Sequence, residues 1–205
     1  MLSTPVLLFT ILGFFSGSVM YSYIIPRMIC GRDVRDSAAD RNPGAANATA
    51  TCGLGVGIIC GALDVLKAFL PVFTACLLGV AEGWEIVPIV IAPVLGHAFS
   101  PMMHFKGGKA ITTVYGALLG LMPWHRLGLV LAACMALCVC LIKNHAAAIT
   151  ASALLFVIGS AMVFPAQGAI RLTACLISLV LIYKHFGEAR EYLLERIAKR
   201  RSKTA

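Results

Sequence analysis

Long apolar stretches alternate with polar ones along the whole chain. The seven apolar segments are 2–26, 52–80, 86–99, 110–122, 127–142, 146–163 and 168–185. Several fall below the roughly 20 residues that a full membrane span needs, so we expect their ends to be buried against other helices or to open onto a cavity. The pattern predicts an all-α, polytopic membrane protein with about seven transmembrane helices.

Two of the apolar segments have features that bear on their structure. Segment 2–26 has no basic stretch at its start, which a cleaved signal peptide would carry, so we predict that it is the first transmembrane helix. Segment 86–99 contains Pro88 and Pro93, and proline removes a helical hydrogen bond. We therefore expect the third helix to be broken or tilted.

The composition supports a membrane protein. Of the 205 residues, 60% are hydrophobic and 13% are charged, whereas soluble domains have about 45–50% apolar and about 25% charged residues. The eight cysteines lie mostly within apolar segments and lack metal-ligand spacing, so we predict neither a disulfide nor a metal site. We divide the chain into a membrane domain, 1–186, and a basic cytoplasmic tail, 187–205, which is expected to lie on anionic lipid.

The distribution of positive charge predicts the orientation. All but three of the 17 lysines and arginines fall in loops that share one side of the membrane if there are seven spans; the exceptions are Lys67, Arg126 and Arg171. The positive-inside rule then places the amino terminus outside and the carboxyl terminus in the cytoplasm. It also predicts that loop 27–49, the loop around Lys106 and the end of the seventh helix lie on the same face.

The sequence Phe105-Lys106-Gly107-Gly108-Lys109 is the first candidate site. Glycines allow close backbone approach, lysines attract an oxyanion, and a helix that starts near Ala110 would present its free N–H groups to a phosphate. The alternative is a tight turn whose lysines hold the helix ends at the lipid surface. A Walker A loop is excluded, because Ala110 stands where that motif needs Ser or Thr.

Loop 27–49 is the second candidate site. Arg35 could bind phosphate through two parallel hydrogen bonds, and the sequence from Asn42 through Gly44 to Asn47 could form an anion-binding nest. Ser18 and Tyr23 at the cytoplasmic end of the first helix could each add a hydroxyl. The alternative is an ordinary solvated loop with balanced charge.

Asp64 and Lys67 lie inside the second apolar segment, three residues apart. This spacing places both side chains on one helix face, where we expect them to pair. Ionisable groups within a membrane segment are functional candidates, but a structural ion pair that ties this helix to its neighbours is an equally good interpretation.

The order of these motifs resembles that of the bacterial acyl-phosphate-dependent glycerol-3-phosphate acyltransferases. The motifs are Gly17-Ser18, Gly31 to Arg35, Asn42 to Asn47, Asp64 with Lys67, and Gly96-His97-x-Phe99 followed by Phe105 to Lys109. The resemblance implies a seven-helix inner-membrane enzyme that transfers an acyl chain from acyl phosphate to the 1-position of glycerol 3-phosphate. The products would be lysophosphatidic acid, a phospholipid precursor, and inorganic phosphate.

The chain departs from the family pattern at several positions. The usual GSGN-x-GATN loop is replaced by the residues from Ala39 to Asn47, Met20 stands in place of a proline, and Ala110 in place of a glycine. The third family motif survives only as His185, with Glu188 at the usual Asn position and Arg190 beside the position of a usual Arg.

The resemblance and the residues together give a set of expected site residues. The expected catalytic residues are His97, Lys109 and His185, and the expected substrate-binding residues are Ser18, Arg35, Asn42, Gly44, Asn47, Lys106, Gly107, Gly108 and Arg190. We expect no cofactor, no nucleic-acid partner and a monomer. No histidine is followed five residues later by the Asp that acyl-CoA-dependent acyltransferases use, so either a side chain or a substrate phosphate serves as the base. A small transporter of an organic phosphate, or a paralogue with a changed acyl acceptor, is the alternative.

Overall fold

The computed structural model describes residues 3–38 and 40–204, and these residues form helices and connecting loops without a β-strand. The chain divides into two units, Met1–Arg126 and Leu127–Ala205. The α-helices are α1 Thr4–Ser18, α2 Tyr21–Cys30, α3 Val34–Ser37, α4 Ala45–Cys52, α5 Leu54–Leu77, α6 Ile86–Ala98, α7 Ile111–Gly120, α8 Arg126–Leu141, α9 His145–Val163 and α10 Gly168–Thr204. Short 3₁₀ helices, Gly83–Glu85 and Pro101–Met103, precede and follow α6.

Apolar helices dominate both units, as the sequence predicts. Five helical stretches within the described residues are long and apolar enough to cross a membrane, and α7 and α8 are shorter apolar helices. The five stretches are Thr4–Cys30, Leu54–Leu77, Gly83–Met103, His145–Val163 and Gly168–Ser202. The prediction of an all-α membrane protein is confirmed.

The first apolar segment is not the single helix that we expected. The backbone leaves the helical conformation at Val19 and Met20, which separate α1 from α2. The carbonyl oxygens at this break accept bonds from distant side chains: the Ser18 oxygen from Ser100 Oγ at 2.6 Å, and the Val19 oxygen from Lys67 Nζ at 2.5 Å. Because side chains satisfy these carbonyls, the helix can break within an apolar segment at little cost.

The third apolar segment, 86–99, also differs from the prediction, because its helix is continuous. One continuous helix, α6, runs over Ile86–Ala98, so of the two expected features the break is wrong and the tilt stays a prediction. Pro88 lies in the first turn, where the backbone N–H would have no partner inside the helix. Pro93 lies within the helix and packs against Gly17 of α1, where an added Cβ would approach the Pro93 carbonyl oxygen to 2.1 Å.

Glycines set the packing of the first unit. An added Cβ at Gly96 of α6 would lie 2.1 Å from the Phe14 oxygen of α1, and one at Gly116 of α7 would lie 2.1 Å from the Val65 oxygen of α5. The residue numbers at these contacts rise together along each pair: Gly13 meets Ile89 and Gly17 meets Pro93, and Gly116 meets Val65 and Gly120 meets Phe69. α1 therefore runs parallel to α6, and α5 parallel to α7, as alternating crossings of a membrane require.

The predicted pairing of Asp64 with Lys67 is confirmed, and it connects three helices. Lys67 Nζ lies 2.8 Å from Asp64 Oδ1, and both side chains are about 1% exposed. The same ammonium group bonds to the Val19 oxygen and, at 2.8 Å, to His97 Nδ1 of α6. Ser22 of α2 donates to Asp64 Oδ2 at 2.7 Å. This arrangement favours the structural interpretation of the pair.

The second unit contains α8, α9 and α10, with α9 packed along α10. Ser178 of α10 donates to the Ala153 oxygen of α9 at 2.8 Å. α10 continues without a break through the expected domain boundary at residue 186, so the basic tail is helical as far as Thr204. Leu193, Leu194 and Ile197 of this tail are about half exposed.

The buried pair gives a testable prediction about stability. Asp64→Ala leaves the Lys67 ammonium buried without its carboxylate, and we expect the free energy of unfolding to fall by about 3–5 kcal/mol. Chemical denaturation of the purified protein in detergent measures this change. Asp36→Ala, at an exposed acid of α3, is the matched control and should change the free energy by less than about 0.5 kcal/mol.

A double variant separates charge from packing. Asp64→Leu combined with Lys67→Met removes both buried charges and should recover part of the loss, because a buried pair can be replaced by apolar groups. Unchanged stability of Asp64→Ala would contradict the structural role of the pair.

Candidate functional site

The two candidate loops of the first unit meet in space. Lys109 Nζ, in the loop before α7, lies 2.8 Å from Asp40 Oδ2 in the loop before α4. The two residues are 69 positions apart in the chain. The prediction that loop 27–49 and the Lys106–Lys109 loop lie on one face is therefore confirmed.

Loop 40–47 is folded around the carboxylate of Asp40. The backbone N–H of Asn42 donates to Asp40 Oδ1 at 3.1 Å, and the Asn47 side chain donates to the same oxygen at 2.9 Å. Asn47 Nδ2 also donates to the Asn42 carbonyl oxygen at 2.8 Å. Gly44 begins α4 as its N-cap residue, and its N–H bonds to the Asn42 oxygen. The loop thus directs donors at an anion, and the anion present is a side chain of the protein.

The protonation of Asp40 follows from these contacts. Burial disfavours its ionised form, but the hydrogen bonds from Lys109, from the Asn42 amide and from Asn47 together outweigh burial and hold the pKa of this carboxyl below its usual value. Asp40 is therefore a carboxylate at neutral pH, and Lys109 faces a full negative charge.

Arg35 is held by a second aspartate. Asp33 caps α3 by accepting the Arg35 N–H at 3.0 Å, and its two oxygens accept Arg35 Nε at 3.0 Å and Nη2 at 2.7 Å. The guanidinium carbon lies 4.6 Å from the ring centre of Tyr23. The hydrogen bond from Arg35 is the main cause that holds the pKa of Asp33 below its usual value. Arg35 is therefore oriented before any ligand arrives.

The glycine pair lies against α6. The N–H of Gly108 donates to the His97 carbonyl oxygen at 3.1 Å. An added Cβ at Gly107 would come within 2.0 Å of the His97 oxygen, and one at Gly108 within 2.3 Å of His97 Nε2. Any side chain here would force the loop away from the helix. The close approach for which glycine is needed is thus to His97.

The residues on either side of the glycine pair determine the path of the loop between α6 and α7. His104, Phe105 and Ala110 adopt left-handed backbone conformations, which cost energy for residues other than glycine. α7 begins at Ile111 with Ala110 as its N-cap, so the predicted helix start near Ala110 is confirmed. Lys106 is exposed, whereas the Lys109 side chain is 16% exposed. Of the two lysines, Lys109 is the one in contact with loop 40–47.

His97 is buried in the last turn of α6. The ammonium of Lys67 donates to Nδ1 at 2.8 Å, and this bond assigns the imidazole proton to Nε2, the nitrogen beside Gly108. His97 is therefore set up as a hydrogen-bond donor at Nε2. Its catalytic role stays a prediction, and the alternative of a histidine that closes the third helix has equal support.

Ser18 lies at the end of α1 and is buried. Its hydroxyl donates to the Phe14 oxygen at 2.7 Å within its own helix. Its carbonyl, not its hydroxyl, makes the long-range contact, with Ser100. Its predicted contact with substrate stays a prediction.

His185 and Arg190 belong to the second unit. His185 is buried in α10 and its Nδ1 donates to the Leu181 oxygen at 2.8 Å. Its ring centre lies 6.4 Å from that of His145. Glu188 and Arg190 are exposed on the turns that follow. The expected roles of His185 and Arg190 stay predictions.

Sequence reasoning missed three polar residues that organise this region. Asp40, Ser100 and Ser22 bond respectively to Lys109, to the Ser18 oxygen and to Asp64. Asp40 was visible only as a departure from the family loop, since its partner is 69 residues away. Ala39, the first residue of that variant loop, lies outside the described residues.

Comparisons with known proteins agree with the geometry. The family model described as glycerol-3-phosphate acyltransferase matches residues 7–195. Glycerol-3-phosphate acyltransferase 2 of Thermotoga maritima is 46% identical over 110 residues, which cover 53% of this chain and 55% of the relative. The glycerol-3-phosphate acyltransferase of Desulfovibrio desulfuricans is 38% identical over 121 residues, covering 59% and 53%. These matches thus span about half the length of the relatives.

Two solved structures share the fold. Both are crystal structures of PlsY (YgiH), an integral membrane glycerol 3-phosphate acyltransferase, and each match covers 93% of both chains. The glycerol 3-phosphate form has a TM-score of 0.80 at 24% identity, and the lysophosphatidic acid form 0.77 at 23%. Because the family model spans nearly the whole sequence, this chain belongs to the glycerol-3-phosphate acyltransferase family.

Proposed function

We propose that this protein transfers an acyl chain from acyl phosphate to the 1-position of glycerol 3-phosphate, giving lysophosphatidic acid and inorganic phosphate for phospholipid biosynthesis. The observation that carries the proposal is the convergence of Lys109 and the donors of loop 40–47 on one anionic group, the carboxylate of Asp40. Membership of the family and the names of the relatives support it. So do the two ligands named for the solved PlsY structures, glycerol 3-phosphate and lysophosphatidic acid.

The first task of such a site is to hold two anionic substrates together. Charge-assisted hydrogen bonds to phosphate oxygens can offset the repulsion between them. Arg35, Lys106 and Lys109 supply the positive charge, and the N–H groups and side chains of loop 40–47 supply further donors. The remaining proposed substrate contacts are Ser18, Asn42, Gly44, Asn47, Gly107, Gly108 and Arg190.

The acyl donor is a mixed anhydride and is therefore already activated for the chemical step. The 1-hydroxyl oxygen of glycerol 3-phosphate attacks the acyl carbon, the bond from that carbon to the phosphate oxygen breaks, and inorganic phosphate leaves. A phosphate oxygen of a bound substrate takes the hydroxyl proton, because its second pKa of about 6 leaves it ionised at neutral pH. His97, protonated at Nε2, stabilises the oxyanion on the acyl carbon as a donor. His185 is the third proposed catalytic residue.

For the membrane arrangement we propose seven spans, formed by the five long helical stretches together with α7 and α8. The amino terminus then lies outside, and the two loops of the site face the cytoplasm at the inner membrane of a bacterium. The enzyme acts as a monomer, and residues 187–205 form a basic tail on anionic lipid. The excess of lysine and arginine in these loops and in the tail supports this orientation.

Donor choice tests the function directly. In purified enzyme reconstituted into vesicles with labelled glycerol 3-phosphate, we expect labelled lipid from palmitoyl phosphate and essentially none from palmitoyl-CoA. Phosphate is a good leaving group that needs no His–Asp pair, and the sequence has none at the required spacing. Comparable rates from the CoA thioester would contradict the assignment of acyl phosphate as the donor. Uptake of labelled glycerol 3-phosphate without a lipid product would favour the transporter instead.

Lys109 is expected to be essential for transfer. Lys109→Ala should lower kcat/KM at least tenfold, since losing a hydrogen bond to a charged group costs about 1.5–3 kcal/mol. Radiolabelled product formation measures this, with Lys199→Ala on the exposed tail as the control that keeps full activity. An unchanged rate in folded Lys109→Ala would support the alternative interpretation, in which this lysine only holds a helix end at the lipid surface.

Topology can be checked by labelling in a variant that lacks the native cysteines. Arg41→Cys and Lys106→Cys should react with a membrane-impermeant maleimide from the cytoplasmic side only. Trp84→Cys, at an exposed position between α5 and α6, should react from the opposite side only. Labelling of position 106 from outside would refute the orientation.

A further inference from the structure

The donors expected to bind substrate phosphate are already engaged by a carboxylate of the protein. Asp40 accepts three hydrogen bonds: Lys109 Nζ reaches Oδ2 at 2.8 Å, and the Asn42 N–H and Asn47 Nδ2 reach Oδ1 at 3.1 and 2.9 Å. We call these three donors the anion cradle. They come from three places in the chain, the loop before α4, α4 itself and the loop before α7.

We propose that Asp40 is a resident anion of this cradle, which a substrate phosphate must displace in order to bind, and that Asp40 thereby sets the site's selectivity for phosphate over carboxylate. The proposal rests on the proposed function, because it takes the cradle to be a substrate-phosphate site. Asp40 is then a specificity-determining residue that lowers apparent affinity and narrows the range of ligands.

The contacts make displacement feasible. Asp40 lies in an exposed turn and its side chain is 25% exposed, so the carboxylate can move into water without disturbing packed helices. The backbone that carries the donors has supports other than Asp40: Asn47 lies in α4 and its side chain also donates to the Asn42 oxygen, and Lys109 directly precedes the N-cap of α7. Removing the carboxylate therefore leaves the cradle open, while the backbone that carries its donors keeps its place.

Selectivity follows from the chemistry of the competitor. A tethered group competes at an effective concentration in the millimolar range for a short flexible link. A free carboxylate offers the same two oxygens and the same single charge, so it cannot displace Asp40 at moderate concentration. A phosphate dianion brings a third oxygen and more charge, and it can. Carboxylates such as those of fatty acids would thus be kept out of the cradle.

The test is neutralisation of Asp40 in the full-length enzyme. Asp40→Asn should lower KM for glycerol 3-phosphate about fivefold, with kcat within twofold of the parent value, because the internal competitor is gone. Asp36→Asn is the matched control: it removes the same charge from an exposed acid four residues earlier and should leave both constants unchanged. A KM that is unchanged or raised in folded Asp40→Asn would overturn the proposal.

Ligand binding gives a second readout that does not require acyl transfer. Isothermal titration of the purified protein should show inorganic phosphate binding and no acetate binding, whereas Asp40→Asn and Asp40→Ala should bind phosphate about fivefold more tightly and also bind acetate. Equal acetate affinity in parent and both variants would overturn the proposal. Tighter phosphate binding in the variants without any acyl transfer by the parent would instead defeat only the proposed function.

Discussion

The arrangement of the first unit depends on one buried ammonium group, that of Lys67. It bonds to Asp64 on its own helix, to the Val19 carbonyl at the end of α1 and to His97 on α6. A charge buried in an apolar bundle is tolerated only if its partners surround it, so these helices are fixed relative to one another. The same ammonium group donates to the Val19 carbonyl at the break between α1 and α2. Its bond to Nδ1 of His97 assigns the imidazole proton to Nε2.

His97 in turn contacts the loop that carries Lys109. The glycine pair packs on the carbonyl and the imidazole of His97, and this contact positions Lys109, the next residue in the chain. Lys109 in turn meets loop 40–47 through Asp40. A chain of contacts thus runs from the buried pair in α5 to the charged surface where two loops meet. The rigid, buried part of this chain contains the histidine, and the exposed part contains the groups that would bind anions.

Two of the cations proposed to bind substrate are each paired with a carboxylate of the protein. Arg35 is clamped by Asp33, and Lys109 by Asp40. Without Asp33, the Arg35 side chain would adopt several rotamers, and their loss would be a cost that ligand binding has to offset. The two pairs differ in kind: Asp33 holds Arg35 from two residues away and orients it, whereas Asp40 reaches Lys109 from another loop, at the position where we propose that a substrate phosphate binds.

The sequence by itself determined the class of protein, the apolar segments and the pairing of Asp64 with Lys67, because hydropathy and helical spacing are local properties. It also placed the two loops on one face, since charge bias reports the side of the membrane. Only the tertiary structure decided that α1 ends at Ser18, that the glycine pair packs on His97 and that Asp40 engages Lys109. Each of these depends on atoms brought together from distant parts of the chain, and no local pattern records such contacts.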